Sequence, residues 1–274
     1  MAFTVVHPMH NQTLWANVEV SEVIHNGSII AIDISAPVCG VEVMDVAAGA
    51  ANVTNLDIPL GVVVGNNIHA NNKTYDSSGE YCTGGAEAGW HDNTTLYEGV
   101  EGPMGRGVSG VMVQYIPLTS ETVLTGPIRQ AAIGTALTVG TASDTGTNGA
   151  NVTTAAAVGC TPVIGHATAY WRSGPNTGQY RILETTSTTV HTWTPALPFD
   201  GVIGDTLVVA NMRAFGTTRA YIDSLGVYID GSQALTSNYL LIDVLRLDLS
   251  VAGEEYVEFR FNSVMFNNVD RIAT

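Results

Sequence analysis

A single lysine, Lys73, in a chain of 274 residues constrains the fold more than any other feature of this sequence. Long helices in water need many Lys, Glu, Gln and Arg on their wet face. Only 13% of this chain is charged, and Val, Ile, Thr and Tyr abound between Gly, Asn, Asp, Ser and Pro. That mixture predicts many short strands joined by turns, an all-β chain of barrel or sandwich modules with long loops and little helix. Its length suffices for one large β domain or two small ones with cores that need no staples.

The pattern along the chain divides it into three regions. Residues 1–118 read as an N-terminal β domain. Ser28–Ile34 places Ile30, Ile32 and Ile34 on one face, Val41–Val46 and Ile58–Val64 read as further strands, and Asn26-Gly27 is a tight-turn signal. Within this domain, residues 65–110 form a polar Gly/Asn-rich excursion too long for an ordinary connection. Val111–Ile116 brings the chain back as a strand that Pro117 stops. Residues 119–160 read as a linker or extended hairpin. A short helix over Thr119–Gln130, capped by Thr119 or Ser120, would end at Gly126-Pro127, and 134–160 is rich in Thr, Gly, Ala and Asn.

Residues 161–274 read as a C-terminal β domain. Ala169–Arg172, the turn Ser173–Gly178, Gln179–Glu184, Val190–Trp193 and Thr206–Asn211 form a meander whose turns follow from local chemistry. Leu245, Leu247 and Leu249 alternate with Arg246, Asp248 and Ser250. Val257, Phe259 and Phe261 alternate with Glu258, Arg260 and Asn262, so 241–262 reads as a hairpin with one dry and one wet face.

Charge narrows the partners. Ten basic against 25 acidic residues give a formal charge of −15, which opposes phosphate backbones and anionic membranes alike. Neither nucleic acid nor membrane is therefore expected as a partner. Cys39, Cys82 and Cys160 form no C-x-x-C pair, so neither a disulfide framework nor a zinc site is expected. The N-terminal segment lacks the basic and apolar regions of a signal peptide, so synthesis in a reducing cytoplasm is expected.

Catalytic patterns are better explained otherwise. Asp144-Thr-Gly-Thr147 matches one loop of an aspartic protease, but those enzymes need two such carboxylates and no second copy exists. It reads as a turn. His7-Pro-Met-His10 has Pro8 in place of a helical ligand face. His69 and His91 flank a loop with Asp76, Glu80, Glu87 and Asp92, whose spacing fits no calcium loop. His166 and His191 sit in strands and read as structural. G-x-S-x-G, a P-loop and a dinucleotide fingerprint are all missing from the sequence. No catalytic residue, cofactor or metal is expected. Phe3, Val5, Val6, Met9 and Trp15 make the N-terminal stretch more apolar than a free terminus needs, and mark it as a contact surface for a partner or a sister subunit. Deleting 1–15 is expected to abolish attachment and leave the fold intact.

The segment Trp171-Arg-Ser-Gly-Pro-Asn-Thr-Gly-Gln-Tyr-Arg-Ile182, then Thr189–Trp193, Pro198 and Gly204–Val209, resembles a recurring β module of tailed-phage virion proteins. Gly27-Ser-Ile-Ile-Ala-Ile-Asp33 and Pro59–Val64 resemble the opening strands of phage head decoration (cement) proteins. Together these cover about two-thirds of the chain, and the 65–110 excursion departs from the compact family pattern. The resemblance implies a homotrimer clamped on the capsid exterior of a virion, with the major capsid protein as partner. It implies capsid stabilisation and carries over no catalytic residue. The alternatives are another virion component (tail, fibre or coat protein), or a β-sandwich carbohydrate-binding or glycan-active protein.

Overall fold

The structure is a computed structural model. It describes residues 3–7, 13–17, 23–32, 41–44, 58–64, 74–75, 81–82, 96–98, 112–128, 137–141, 149–158, 160, 162–222, 229–230 and 240–266. Among these residues there is no α-helix, and one 3₁₀ turn, Ser263–Phe266. The chain is all-β. It divides into two compact units interleaved in sequence: the first comprises 1–127, 222–228 and 260–274, the second 128–221 and 229–259. The stretch 119–160 is shared between them.

The first unit carries β1 (Thr4–His7), β2 (Leu14–Asn17), β3 (Val23–His25), β4 (Ile29–Ile32), β5 (Glu42–Val43) and β6 (Ile58–Val63). After these come β7 (Thr74–Tyr75), β8 (Tyr81–Cys82), β9 (Leu96–Glu98), β10 (Met112–Pro117) and β11 (Val123–Pro127). Five strands form a sheet in the order β2-β10-β6-β4-β5. Ile24, Ile30, Val43, Val63, Val113 and Tyr115 make its core.

Asn26 and Gly27 occupy the expected tight turn, closed by the Ser28 amide donating to the His25 carbonyl (3.0 Å), with Gly27 at φ 80°. The facing expected for the Ser28–Ile34 pattern is corrected. Ile30 is fully buried while Ile32 is 40% exposed, because the β4–β6 register shifts between Ile30 and Ala31. Such a bulge reverses which side chains face inward.

The helix expected over Thr119–Gln130 is also corrected. Thr119 and Thr122 form a closed turn, in which the Thr122 amide donates to the Thr119 carbonyl and the Thr119 amide to the Thr122 hydroxyl, both at 3.0 Å. Strand β11 follows. Short Thr side chains compete for backbone groups in this way and favour turns over helix interiors, and the β-branched Val123 and Thr125 favour a strand.

The second unit holds a closed six-stranded barrel. Its strands are β12 (Leu137–Thr141), β13 (Asn151–Thr154), β14 (Thr168–Trp171), β15 (Tyr180–Thr186), β16 (Val190–Trp193) and β17 (Thr206–Ala210). They pair antiparallel in the order β12-β13-β16-β15-β14-β17, and β17 returns to β12 with Leu207 opposite Leu137. Closure leaves no free edge. The meander β14-β15-β16 occurs as expected, but it is the Thr/Gly-rich β12 and β13 that complete the ring. Four further strands are β18 (Gly216–Ile222), β19 (Ile229–Asp230), β20 (Leu240–Asp248) and β21 (Tyr256–Phe261), ordered β21-β20-β18-β19; all but residues 222 and 260–261 of them belong to this unit.

In β20 the expected Leu245-Leu247-Leu249 face is corrected. Leu247 and Leu249 are buried and Leu245 is 45% exposed. Inward facing changes phase at Leu245-Arg246, just beyond Val244, the last β20 residue paired with β18. In β21, Val257, Phe259 and Phe261 are buried as the alternation requires.

Candidate interaction surface

Side chains pack the barrel interior: Leu137, Val139, Val152, Ala169, Leu183, Leu207 and Val209 surround Trp171 and Trp193. The two indoles meet edge to face with centroids 5.9 Å apart. The Trp193 indole N–H donates to the Gly149 carbonyl at 2.6 Å. A six-stranded barrel is narrow enough for side chains to fill, and this one is filled.

The ionisable groups on the interior side are kept neutral. Burial pushes the Cys160 thiol up to about 12; at neutral pH it is a small apolar group, not a nucleophile or a metal ligand. His191 is fully buried. The Thr154 hydroxyl proton is spent on the Ala156 carbonyl (2.6 Å), so that oxygen accepts from His191 Nε2–H (3.0 Å). Nδ1 lies 2.8 Å from the Thr186 hydroxyl and accepts its proton when that hydroxyl turns from the Ser187 carbonyl (3.1 Å). Burial holds the imidazole below its ordinary value, consistent with this neutral tautomer. His191, in a strand as expected, is held within the barrel's own hydrogen bonds. His166 is half-buried, with its pKa lowered by burial and then by Arg213 and Arg219.

Outside the barrel, one segment stands apart. The connection from β16 to β17, residues 194–205, begins at the cis Thr194–Pro195 peptide and is fastened at successive points. Arg181 donates from Nε to the Pro195 carbonyl and from Nη2 to the Ala196 carbonyl (2.9 and 3.2 Å). The Leu197 amide donates to the Gly149 carbonyl (2.8 Å), and the Leu197 side chain is buried. Asn176 grips Phe199 twice: its Nδ2 donates to the Phe199 carbonyl (2.8 Å) and its Oδ1 accepts the Phe199 amide (3.2 Å). Asp200 Oδ1 accepts the Gly149 amide (2.8 Å), and Asp205 Oδ2 accepts the Val202 amide (2.9 Å).

Asn176 is placed by the turn between β14 and β15, which the Gly178 amide closes onto the Trp171 carbonyl (2.9 Å). Gly174 in that turn has φ +82°, and a Cβ there would lie 2.2 Å from the Asp205 carboxylate. Only glycine tolerates both conditions.

What this clamped loop offers to solvent is apolar. Phe199 is 57%, Val202 53% and Ile203 67% exposed. Single exposed apolar residues are ordinary, but three within five positions on a backbone fixed by buried Asn176 and Asp205 form a preorganised contact patch. A surface of this kind loses little entropy on binding, and aromatic anchors dominate interface energies.

The N-terminal residues marked from the sequence are distributed differently. Phe3 is 3% exposed and packs over Gly126, where a Cβ would lie 2.1 Å from its ring. It belongs to the first unit's own interior and is not available to a partner. Val5 is half-buried opposite Leu124, whereas Val6 is 40% and Trp15 37% exposed. Because β1 pairs with β11 and β2 with β10, removing residues 1–15 would take β1 and the first half of β2 from the unit. The expectation that such a deletion leaves the fold intact is therefore corrected.

Met9, His10, Cys39, Trp90 and the Asp144–Thr147 tetrad lie outside the described residues, as do His69, Asp76, Glu80, Glu87, His91 and Asp92. Among the described residues, no cluster of three or more His, Cys, Asp or Glu could hold a metal ion.

Sequence reasoning missed the 194–205 patch. Its legible signal was the run Pro198-Phe-Asp-Gly-Val-Ile-Gly204, in which large apolar residues sit inside turn chemistry instead of a strand. Comparison with protein-family models, curated proteins and solved structures finds no match for this chain.

Proposed function

We propose that this protein is a non-enzymatic structural component of a virion that binds the outside of a phage capsid and stabilises it, as a decoration (cement) protein. The observation that carries the reading is the clamped apolar patch Phe199, Val202 and Ile203. It is suited to docking on another protein surface and has no chemistry of its own. The filled barrel interior, with Cys160 and His191 held neutral, supports a scaffold role. A formal charge of −15 suits a protein outside a shell that packages nucleic acid, since it would not compete for the genome. The expected partners are the major capsid protein and two further copies of this chain.

The test uses shells assembled from the major capsid protein of the same genome, incubated with wild-type protein or with the Phe199→Ser/Ile203→Ser variant. Both substituted positions are exposed, so the variant should keep the wild-type circular dichroism and solution mass. Wild type should co-sediment with shells and raise their thermal stability, and the variant should do neither. A wild-type protein that never joins shells, or a monomeric mass in solution, overturns the reading.

A further inference from the structure

Five of the six arginines among the described residues fall into two kinds. Arg172, Arg246 and Arg260 each pair with a carboxylate, from Glu255, Asp248 and Glu121, at 2.6, 2.9 and 2.9 Å. Arg181 and Arg213 do not. The Arg181 guanidinium donates to the carbonyls of Tyr180, Pro195 and Ala196 and to the Gln179 side chain. Arg213 donates only from Nε, to the Gly165 carbonyl at 3.2 Å; its two terminal amino groups have no partner among the described residues. In a chain with 25 acidic residues against 10 basic ones, chance alone would favour a carboxylate beside each guanidinium.

Arg181 and Arg213 line the same cleft on the second unit. It encloses about 340 Å³, and its walls include Tyr180, Ile182, Pro195 and Phe215. Phe215 is 77% and Ile182 41% exposed, so the apolar wall is open to a ligand. The volume lies at the small end of ligand sites, which run from ~300 to ~1,000 Å³. Two carboxylates are shown near the lining, and both have partners: Glu184 accepts the Thr194 hydroxyl (2.6 Å), and Asp248, which acts on Tyr180, pairs with Arg246 (2.9 Å). Positive charge is concentrated on the Arg213 side of the cleft: after burial, Arg213 and Arg219 hold His166 below its ordinary value, whereas at Tyr180 burial and then Asp248 push the phenol up.

We propose that this cleft is a binding site for an acidic peptide segment of a partner protein, in which an Asp or Glu carboxylate engages Arg213 and an adjacent bulky apolar side chain packs on Phe215, Ile182 and Pro195. The free Nη groups of Arg213 present the parallel N–H donors that match a carboxylate's two oxygens. The apolar wall selects a ligand whose charge is flanked by hydrocarbon, which a bare anion lacks. The chain's overall negative charge disfavours polyanions such as nucleic acid, so a locally paired carboxylate on a polypeptide is the complement that fits. The proposal stands apart from the virion reading, because the segment is defined by chemistry and its source is any protein that carries it.

The experiment is a titration of the full-length protein, followed through its Arg Nε and backbone amide resonances. The probe is the blocked pentapeptide acetyl-Gly-Phe-Glu-Val-Gly-amide, at up to about 10 mM to reach millimolar affinities. Its Glu-to-Gln counterpart, inorganic phosphate and N-acetylneuraminic acid serve as comparisons. The acidic peptide should shift the Arg213 Nε and Phe215 amide signals saturably, and the Gln peptide should bind at least ~10-fold more weakly, the usual worth of a charge-assisted bond.

Arg213→Gln and Phe215→Ser should each weaken binding. Arg260→Gln, at an arginine paired elsewhere with Glu121, should leave it unchanged. Phe215 is mostly exposed, so its variant keeps the fold and the test stays decisive even where Arg213→Gln loosens the Gly165 loop. Equal binding of the Glu and Gln peptides, no saturable shift with either, or full binding by the Phe215→Ser variant would overturn the proposal. A stronger response to phosphate or to the acidic sugar than to the peptide would likewise reject a polypeptide ligand.

Discussion

Replacing Asn176 by Ala tests whether the apolar patch is held in place from inside the fold. The Asn176 side chain is fully buried and makes two bonds to Phe199, at 2.8 and 3.2 Å, across 23 residues of sequence. Each such bond contributes about 0.5–1.5 kcal/mol net, so losing both should cost about 1–3 kcal/mol. The loss should fall on local opening of the loop, because the barrel strands keep their own ladder. Native-state hydrogen exchange reads this directly: the Phe199 amide should exchange roughly five- to 150-fold faster, since about 1.4 kcal/mol is tenfold.

Thr177→Ala supplies the control in the same turn. Its hydroxyl donates to the Gly174 carbonyl in an exposed setting, and its removal should change the Phe199 exchange rate by less than about twofold. If Asn176→Ala leaves that rate within about twofold of wild type, the clamp is not what orders the patch, and Asp200 and Asp205 suffice. Under the capsid-binding proposal, Asn176→Ala should also weaken attachment to shells without touching the contact residues, because part of the affinity would come from preorganisation.

Three further outcomes follow from the same geometry. Folding depresses the pKa of His191, so the unfolded chain binds the proton more readily. The stability contribution is full above the ordinary value near 6.5 and is lost as pH falls below it; urea midpoints of the second unit should drop between about pH 7.5 and 5, and His191→Gln should flatten that slope. The Arg172–Glu255 pair, whose side chains are 11% and 5% exposed, is joined by Arg172 Nε donating to the Leu249 carbonyl (2.7 Å). Arg172→Ala should therefore cost about 3–5 kcal/mol in urea unfolding, the Arg172→Met/Glu255→Leu double variant should recover much of it, and a single-variant cost below about 1 kcal/mol would refute the account. Cys160, with its thiol pushed up to about 12, should resist a thiol reagent in native protein and react only on unfolding; prompt native labelling at this cysteine would contradict its burial.

The sequence by itself determined the class of fold and many of its strands. Scarce charge excluded long wet helices, and period-two alternation marked Val257, Phe259 and Phe261 as one inward face. Asn26-Gly27 and the Ser173–Gly178 turn were legible because turn chemistry is local: a left-handed glycine or a short polar side chain acts within four residues.

Tertiary structure decided everything that depends on which strand lies beside which. The Thr-rich β12 and β13 become barrel strands only because β16 and β17 offer them edges, with Val152 opposite His191 and Leu137 opposite Leu207. One bulge beside Ile30 turns Ile32 outward, and the phase of β20 changes where β18 stops pairing. Phe3, apolar and near the N-terminus, reads as a sticky tail until Gly126 is seen to open a place for its ring.

The candidate sites were the least legible part. Asn176 reaches Phe199, and Arg181 shares a cleft with Arg213 and Phe215, through contacts between residues far apart in the chain. Local patterning carries the period of a strand and the sign of a turn. It carries no record of which carboxylate a guanidinium lacks, or which apolar side chains a folded backbone leaves facing water.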